Sequence, residues 1–455
     1  MEREQFAAVA AEFAAFHRAF APLFRRRETA RRGKQYLNAL LVQRGERRNA
    51  ENLAEAGGGA SARALQRLLS EAGWSDRAVR DRLQRHLAER LSQPDGVFIL
   101  DETGFAKQGC RSAGVARQYS GTLGKVGNCQ VGVFLAYAAA RGHALVDAAL
   151  YLPEHWAADR ARCDAAGIPA GVGYRSKADL GLGLLRRARA LGALAGRWVT
   201  ADEGYGRDGG LRDALDAEGW RYVLEVPVAT PVFLAPPAYV AAPRTGRRGP
   251  APTRRVLDPA GALPRPVGEV LAGLAADAWR ELAVAEGAQG PRRYQFAAVR
   301  VWESRAGQPG RACWLLLRRN LDGSEPKCYL SNAPADTPLL ALAQVSAARW
   351  CVETGFRQGK GEAGLDEYEV RSWDGWHRHV TLALLAAAFL LTVQQDWGGK
   401  GGPARADHPA GRPPAAPPAA PPRVDGGGPA ALAGRHPGPQ RAGAPRPRPA
   451  AGTAT

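Results

Sequence analysis

The chain has 455 residues, 45% of them apolar and 23% charged, which is enough for two or three domains whose cores need neither a disulfide nor a metal to hold them. Its formal net charge of +18 calls for a polyanionic partner, and nucleic acid is the commonest, because Lys and Arg displace condensed counterions from phosphates. No run approaches the roughly 18 consecutive apolar residues of a spanning helix, and Glu2, Arg3 and Glu4 before a helical pattern are unlike a signal peptide, so the expectation is no membrane and a cytoplasmic, nucleoid-associated protein.

In chain order, residues 1 to 95 read as helical, since apolar positions recur at three and four and β-branched residues are few. Between Arg25 and Arg48, nine basic residues (Arg25, Arg26, Arg27, Arg31, Arg32, Lys34, Arg44, Arg47 and Arg48) face two acids, Glu28 and Glu46, a local excess of seven charges. Ala62 to Glu71 forms a short helix, Gly73 breaks it, and Ser75 caps a longer one whose Val79, Leu83, Leu87 and Leu91 line a single face. The pair resembles a helix-turn-helix in outline, and the same pattern serves plain packing in any helical bundle. Residues 1 to 95 are thus the candidate DNA-binding domain, with both readings of the helix pair open.

From residue 96 the texture changes to alternating strands and helices. Val97 to Leu100 suits a buried strand that ends in Asp101; Asn128 to Tyr137 and Ala144 to Leu152 read as strands and Lys177 to Leu191 as a helix. Arg197 to Thr200 is a short strand ending near Asp202, followed by a helix at Leu211 to Glu218 and a strand at Tyr222 to Val226. Residues 96 to 226 are therefore predicted to form an α/β core, a mixed sheet with helices on its faces.

Residues 227 to 335 read as a β-rich insertion. Pro, Ala, Gly and Arg fill Pro227 to Pro266, and strand-like runs follow at Tyr294 to Trp302, Cys313 to Arg318 and Lys327 to Leu330. Helix returns from Pro338 to Gly359 and from His379 to Gln395, so residues 336 to 397 complete the core. From 398 to 455 there is no aromatic residue, only Val424 and Leu432 as larger aliphatics, and this composition predicts a disordered tail. The tail carries eight basic residues and two acids, which leaves 18 − 6 = 12 net charges to the folded part. The six cysteines form no Cys-x-x-Cys pair, so buried thiols in a reducing compartment are expected in place of a zinc site or disulfide framework.

Three acids stand out by context. Asp101 and Asp202 each follow a buried strand beside glycines (Asp101-Glu102-Thr103-Gly104 and Asp202-Glu203-Gly204-Tyr205-Gly206), where a sheet presents a metal ligand. In Arg349-Trp350-Cys351-Val352-Glu353, Arg349 and Glu353 share a helix face, and Lys360 lies two turns further along it. Spacing alone suits a surface ion-pair helix equally well.

These residues resemble the bacterial insertion-sequence transposases of the DDE superfamily, in the branch with a large insertion between the second Asp and the Glu. There the Glu helix bears Tyr-x-x-Arg-x-x-x-Glu-x-x-x-x-x-x-Lys; Arg349, Glu353 and Lys360 match in register and Ser346 stands at the Tyr position. The segment Gly104 to Gln130, with Lys107 and Arg117-Gln118-Tyr119-Ser120-Gly121, resembles the region after the first Asp in one subgroup. The resemblance spans roughly residues 30 to 397.

It implies a ribonuclease-H-like catalytic core and Asp101, Asp202 and Glu353 as catalytic ligands of Mg²⁺, with Mn²⁺ able to substitute. It further implies Arg349, Lys360, Arg357 and Lys107 as DNA contacts, double-stranded DNA at element ends and target as partner, and a homodimer in the synaptic complex. The chemistry is consistent: two divalent ions about 3.5–4 Å apart can activate a nucleophile and stabilise a leaving oxygen, and such hard ions favour carboxylate oxygens. We take Asp101 to bridge the two ions while Asp202 and Glu353 each complete one site.

Two alternatives share these residues: a DNA-binding remnant without mobilising activity, and a stand-alone metal-dependent nuclease. A tail of this composition beginning abruptly near Gly398 is what a frameshift in GC-rich DNA would leave, and it favours the remnant. Among neighbouring groups, Glu102 and Glu203 are expected to point away from the chosen aspartates. Glu362, Asp366 and Glu367 miss the Arg and Lys register, and His377 and His379 do not complete a metal site by themselves. Trp302 and Trp314 are candidates for stacking on an unpaired base, with core packing as the plainer reading.

Overall fold

The computed structural model describes residues 3–43, 47–57, 59–122, 124–242, 255–258, 261, 263–287, 290–306 and 308–397; the tail from 398 to 455 and the middle of the Pro- and Arg-rich stretch, 243 to 254, lie outside the described residues. The chain opens with α1 (Arg3–Phe20), a 3-10 turn (Ala21–Phe24), α2 (Arg27–Val42), α3 (Ala50–Gly57), α4 (Ala62–Ser70) and α5 (Asp76–Leu91). The serines begin α4 and α5 as their spacing predicts: the hydroxyls of Ser61 and Ser75 accept from the backbone N–H groups of Ala64 and Ala78.

The strands begin with β1 (Val97–Ala106), β2 (Ala116–Ser120), β3 (Lys125–Ala139) and β4 (Gly142–Leu150). Short helices α6 (Glu154–Ala157) and α7 (Arg160–Ala165) precede α8 (Lys177–Leu191), which starts in a Ser176/Asp179 capping box and ends at Gly192 with φ 63°. Then follow β5 (Trp198–Ala201), α9 (Glu203–Gly206), α10 (Gly209–Ala217) and β6 (Arg221–Val226). Strand β1 does not end at Asp101 as the apolar run suggests. Antiparallel pairing with β3 carries it on to Ala106, whereas its parallel pairing with β5 stops at Leu100.

The insertion holds β7 (Pro231–Phe233), the mutually paired β8 (Tyr239–Ala241) and β9 (Arg255–Leu257), β10 (Arg265–Pro266), α11 (Val267–Ala272), β11 (Arg280–Gly287), β12 (Gly290–Arg305), β13 (Gln308–Arg319) and β14 (Lys327–Ser331). Instead of folding apart, it lengthens the sheet of residues 96 to 226: β14 pairs with β6, and the order runs β10-β7-β12-β13-β14-β6-β5-β1-β3-β2, with β4 on β3 and β11 on β12. Alternation along these strands serves two cores. Leu316 and Phe296 enter the main core, while Leu315, Leu317 and Val301 join Trp279 and Val226 in a second one.

The chain closes its described part with α12 (Leu339–Ala347), α13 (Trp350–Ala363) and α14 (Trp373–Trp397). The single helix expected over Pro338 to Gly359 is two, broken at Ala348 and Arg349. By length and composition α14 is apolar enough to cross a membrane, yet it is a core helix here. Phe13 of α1 packs edge-on to Phe389 at 5.2 Å, and Tyr36 Oη of α2 lies 2.8 Å from His379 Nδ1. Val79, Leu83, Leu87 and Leu91 are fully buried where α5 meets α14 and β4. Arg80 bonds Thr381 at 2.8 Å and pairs at 2.8 Å with Asp147 of β4, a carboxylate with no exposure. The face of α5 that gave the helix-turn-helix outline is thus spent on packing, and the helices of residues 3 to 91 share a continuous core with the sheet.

Candidate active site

Parallel register puts three acids in one row. Leu100 of β1 faces Ala201 of β5, and Ala201 faces Leu224 of β6. The residues that follow these three are Asp101 and Glu225, still within β1 and β6, and Asp202, just past the end of β5. The chain leaves β5 at once: Asp202 caps α9 by accepting from the Tyr205 N–H at 3.3 Å. Gly206 lets this turn lie flat on β6, since a Cβ there would run into the carbonyl oxygen of Glu225.

Asp101 and Glu102 alternate to opposite faces of β1. Glu102 bonds Lys177 of α8 at 2.5 Å, and Asp101 faces Arg349 just ahead of α13, so α8 and α13 cover opposite faces. The carboxyl of Asp101 is pushed up to about 7, first by burial and then by the charge of Asp202, with Arg349 opposing. Asp202 is also raised, by burial and then by Glu102. Glu102, expected to point away, is therefore an electrostatic neighbour of Asp202, because the turn after β5 lies beyond the sheet and is open to both faces. Glu203 does point away, pairing with Arg207 at 2.6 Å on the surface.

Arg349 gathers the remaining acids. Its Nη2 lies 2.6 Å from Glu353 Oε1, its Nη1 3.7 Å from Asp101 Oδ2 and its Nε 3.9 Å from Glu225 Oε2. Burial works against the guanidinium charge, but Glu353, Asp101 and Glu225 in that order outweigh it and raise its pKa. Glu353 is 57% exposed at its side chain, against 13% for Asp101, and Arg349 pairs with both. Among the described residues no three His, Cys, Asp or Glu side chains converge as a ready metal cage.

The four expected DNA contacts lie along this face to different degrees. Lys360 donates to Thr122 Oγ1 at 2.8 Å, at the turn between β2 and β3, and lies 3.4 Å from the Gly104 carbonyl; burial lowers its pKa. Lys107, at the far end of β1, donates to the Tyr368 carbonyl at 3.0 Å and sits 3.4 Å from that ring's centroid, with burial lowering it to about 8. Arg357 is exposed on α13, with only a long 3.5 Å contact to Thr354. Ser346, at the family's Tyr position, is buried and donates to the Ala343 carbonyl.

A family model described as DDE superfamily endonuclease matches residues 19–291, which is 291 − 19 + 1 = 273 of 455 residues. The chain belongs to this DDE endonuclease family. The match takes in Asp101 and Asp202 and stops before Glu353. No curated protein matches the chain.

DDE enzymes generally use divalent metal ions, and the donor chemistry fits. Burial raises both neighbouring carboxyls, with Asp202 adding to the effect at Asp101 and Glu102 at Asp202, and a hard dication, which favours carboxylate oxygens, would offset that crowding of negative charge. His377 and His379 take no part. Both are buried and lowered to about 4 by burial, with His377 Nδ1 2.9 Å from the Trp373 carbonyl and His379 Nε2 3.0 Å from that of Gly364. Trp314 spends its indole N–H on the Pro334 carbonyl and Trp302 is half-buried in β12, which agrees with packing. All six cysteines are free and all but Cys110 are buried. Glu225 is what sequence reasoning missed: only its register beside Asp202 marks it.

Proposed function

We propose that this DDE endonuclease is the transposase of an insertion sequence. It binds the terminal inverted repeats of its own element as double-stranded DNA, acts as a homodimer in the synaptic complex at the nucleoid, and cuts and joins strands with Mg²⁺ or Mn²⁺. The observation that carries the reading is the parallel register that sets Asp101 beside Asp202 in a chain of this family. The strand order β4-β3-β1-β5-β6, with β1, β5 and β6 parallel, supports a ribonuclease-H-like core.

Asp101, Asp202 and Glu353 would hold the ions, with Asp101 between the other two. When bound, the ions would activate the attacking hydroxyl and stabilise the leaving oxygen. With Asp101 and Glu353 holding the ions, the Nη1 and Nη2 groups of Arg349 would be free for the non-bridging oxygens of the scissile phosphate. Lys360, anchored at Thr122, adds a second cation along the same helix, with Arg357 and Lys107 contacting DNA further out.

The test is incubation of the full chain and Mg²⁺ with duplexes that carry the element's ends or scrambled ends. Joined products from end DNA alone are expected. Cutting without end preference would replace the reading with a stand-alone nuclease, and end binding without cutting would replace it with a remnant.

A further inference from the structure

We propose that Glu225 is a positioning residue of this site: its charge, at an ion-pair distance of 3.9 Å from Nε, keeps Arg349 over the paired aspartates, while Lys327 offsets part of that charge so that the field of Arg349 still reaches a DNA phosphate. The proposal rests on the reading of Asp101, Asp202 and Glu353 as the cleavage site.

Each of the three nitrogens of the Arg349 guanidinium faces a different carboxylate, and the two that carry the fork, Nη2 and Nη1, face the proposed metal-binding residues Glu353 and Asp101. Glu225 faces Nε, at the base of the fork. Once Glu353 and Asp101 turn to other work, Glu225 is the carboxylate that remains at Arg349, and it leaves both Nη groups free for a bidentate phosphate contact.

Glu225 is poorly suited to bind a metal itself. Lys327 Nζ donates to both of its oxygens, at 2.8 and 2.9 Å. That contact has a second consequence, because a carboxylate already paired with a lysine steadies Arg349 without cancelling its charge. The backbone fixes the geometry: Glu225 follows the β5–β6 register, Tyr329 faces it across β14, and the Gly206 turn rests on its carbonyl. Because Lys327 lies on β14, the insertion supplies a side chain to the site it interrupts in sequence.

The test uses the full-length protein in two settings. In metal-free, DNA-free protein, the Nε–H resonance of Arg349, assigned by its loss in Arg349→Lys, is followed for exchange with water. Glu225→Gln should speed this exchange severalfold, and Lys327→Gln should leave it slow. In Mg²⁺-dependent cleavage, Glu225→Gln should lower kcat by about tenfold with little change in KM for DNA, and should add little to the loss caused by Arg349→Lys. Lys327→Gln should instead raise KM, since the uncompensated negative charge of Glu225 offsets more of the positive field that Arg349 presents to a DNA phosphate. Unchanged Nε exchange in Glu225→Gln, or an equal kcat loss with and without Arg349, would overturn the proposal. If the exchange responds as expected while the wild type cuts no DNA, the cleavage reading fails and the hold of Glu225 on Arg349 stands.

Discussion

Arg349 closes on Glu353, one turn away, at 2.6 Å, and so occupies a carboxylate proposed above to hold a metal ion. The two therefore compete. Arg349→Gln should tighten Mn²⁺ binding to the DNA-free protein, measured by the loss of free-ion resonance signal, while cleavage falls by about a hundredfold or more because a cation at the phosphate is lost. Weaker Mn²⁺ binding in the variant would show that Arg349 helps to build the metal site and does not block it.

The raised carboxyl of Asp101 makes a stability prediction. Its folded value of about 7 lies above the ordinary 3.8, so between those values the folded chain keeps a proton that the unfolded chain has released. Stability from this group is lost as pH rises through that window. In chelator, Asp101→Asn should raise the thermal midpoint by several degrees at about pH 8 and change it little at about pH 4, with the wild-type deficit set by this linkage. Equal effects at both pH values would mean that Asp101 is ionised throughout.

The buried histidines act in the opposite sense. His377 and His379 are held at about 4 against an ordinary 6.5, so as pH falls below 6.5 the unfolded chain takes up protons that the folded chain refuses. Each should cost about 1.4 kcal/mol per pH unit well inside that window. Urea unfolding in the Asp101→Asn background, which removes the opposing contribution, should show stability falling from about pH 6.5 towards pH 4. A flat profile would contradict the neutral, hydrogen-bonded state of His379 between Tyr36 and Gly364.

Asp147 bears on how the N-terminal helices are joined to the sheet. It is fully buried between Arg80 at 2.8 Å and Arg187 at 3.1 Å. Asp147→Ala removes the buried carboxylate that Arg80 and Arg187 share, leaving them Asp76 and Asp81 as partners, and should destabilise the whole chain in a single cooperative transition, by less than the roughly 3–5 kcal/mol of a wholly uncompensated buried charge. A separate early transition confined to the helices of residues 3 to 91 would show that they fold on their own. The shared core also means that deleting residues 1 to 95 would expose α14, so the role of the basic segment is better probed by substituting its exposed members Arg25, Arg26, Arg27, Arg31 and Lys34.

Much of this was readable from local pattern. Apolar runs such as Val97 to Leu100, the cap at Ser75 and the 3.6-residue face of α5 each report a short-range constraint that the chain obeys. What escaped depends on pairing between distant segments. Strand β1 outruns its apolar run because β3 supplies hydrogen-bond partners beyond Asp101, and no property of Thr103 or Gly104 announces this. Arg48, counted among the basic residues of the segment, is buried and tied to Glu367 at 2.6 Å, a contact between residues 319 positions apart. Asp101, Asp202 and the Arg349–Glu353 turn were visible as motifs; Glu225 became visible only when β6 took its place beside β5. Glu102 takes the face opposite Asp101 as strand alternation predicts, but its charge still acts on Asp202, which has already left the sheet.

Whether Asp101 and Asp202 act with Glu353 as one centre is measured most directly by Mg²⁺-dependent strand cleavage in Asp101→Asn, Asp202→Asn and Glu353→Gln, each paired with a DNA-binding measurement in chelator. Each substitution removes a carboxylate charge at nearly constant size, so cleavage should vanish in all three while DNA binding stays close to wild type. Glu203→Gln, whose side chain pairs with Arg207 on the surface, should cut normally. Glu102→Gln should be intermediate, since it alters the charge beside Asp202 without removing a ligand. Cleavage at the wild-type rate in any of the first three would contradict the assignment of that residue, and in Asp101→Asn it would contradict the account as a whole.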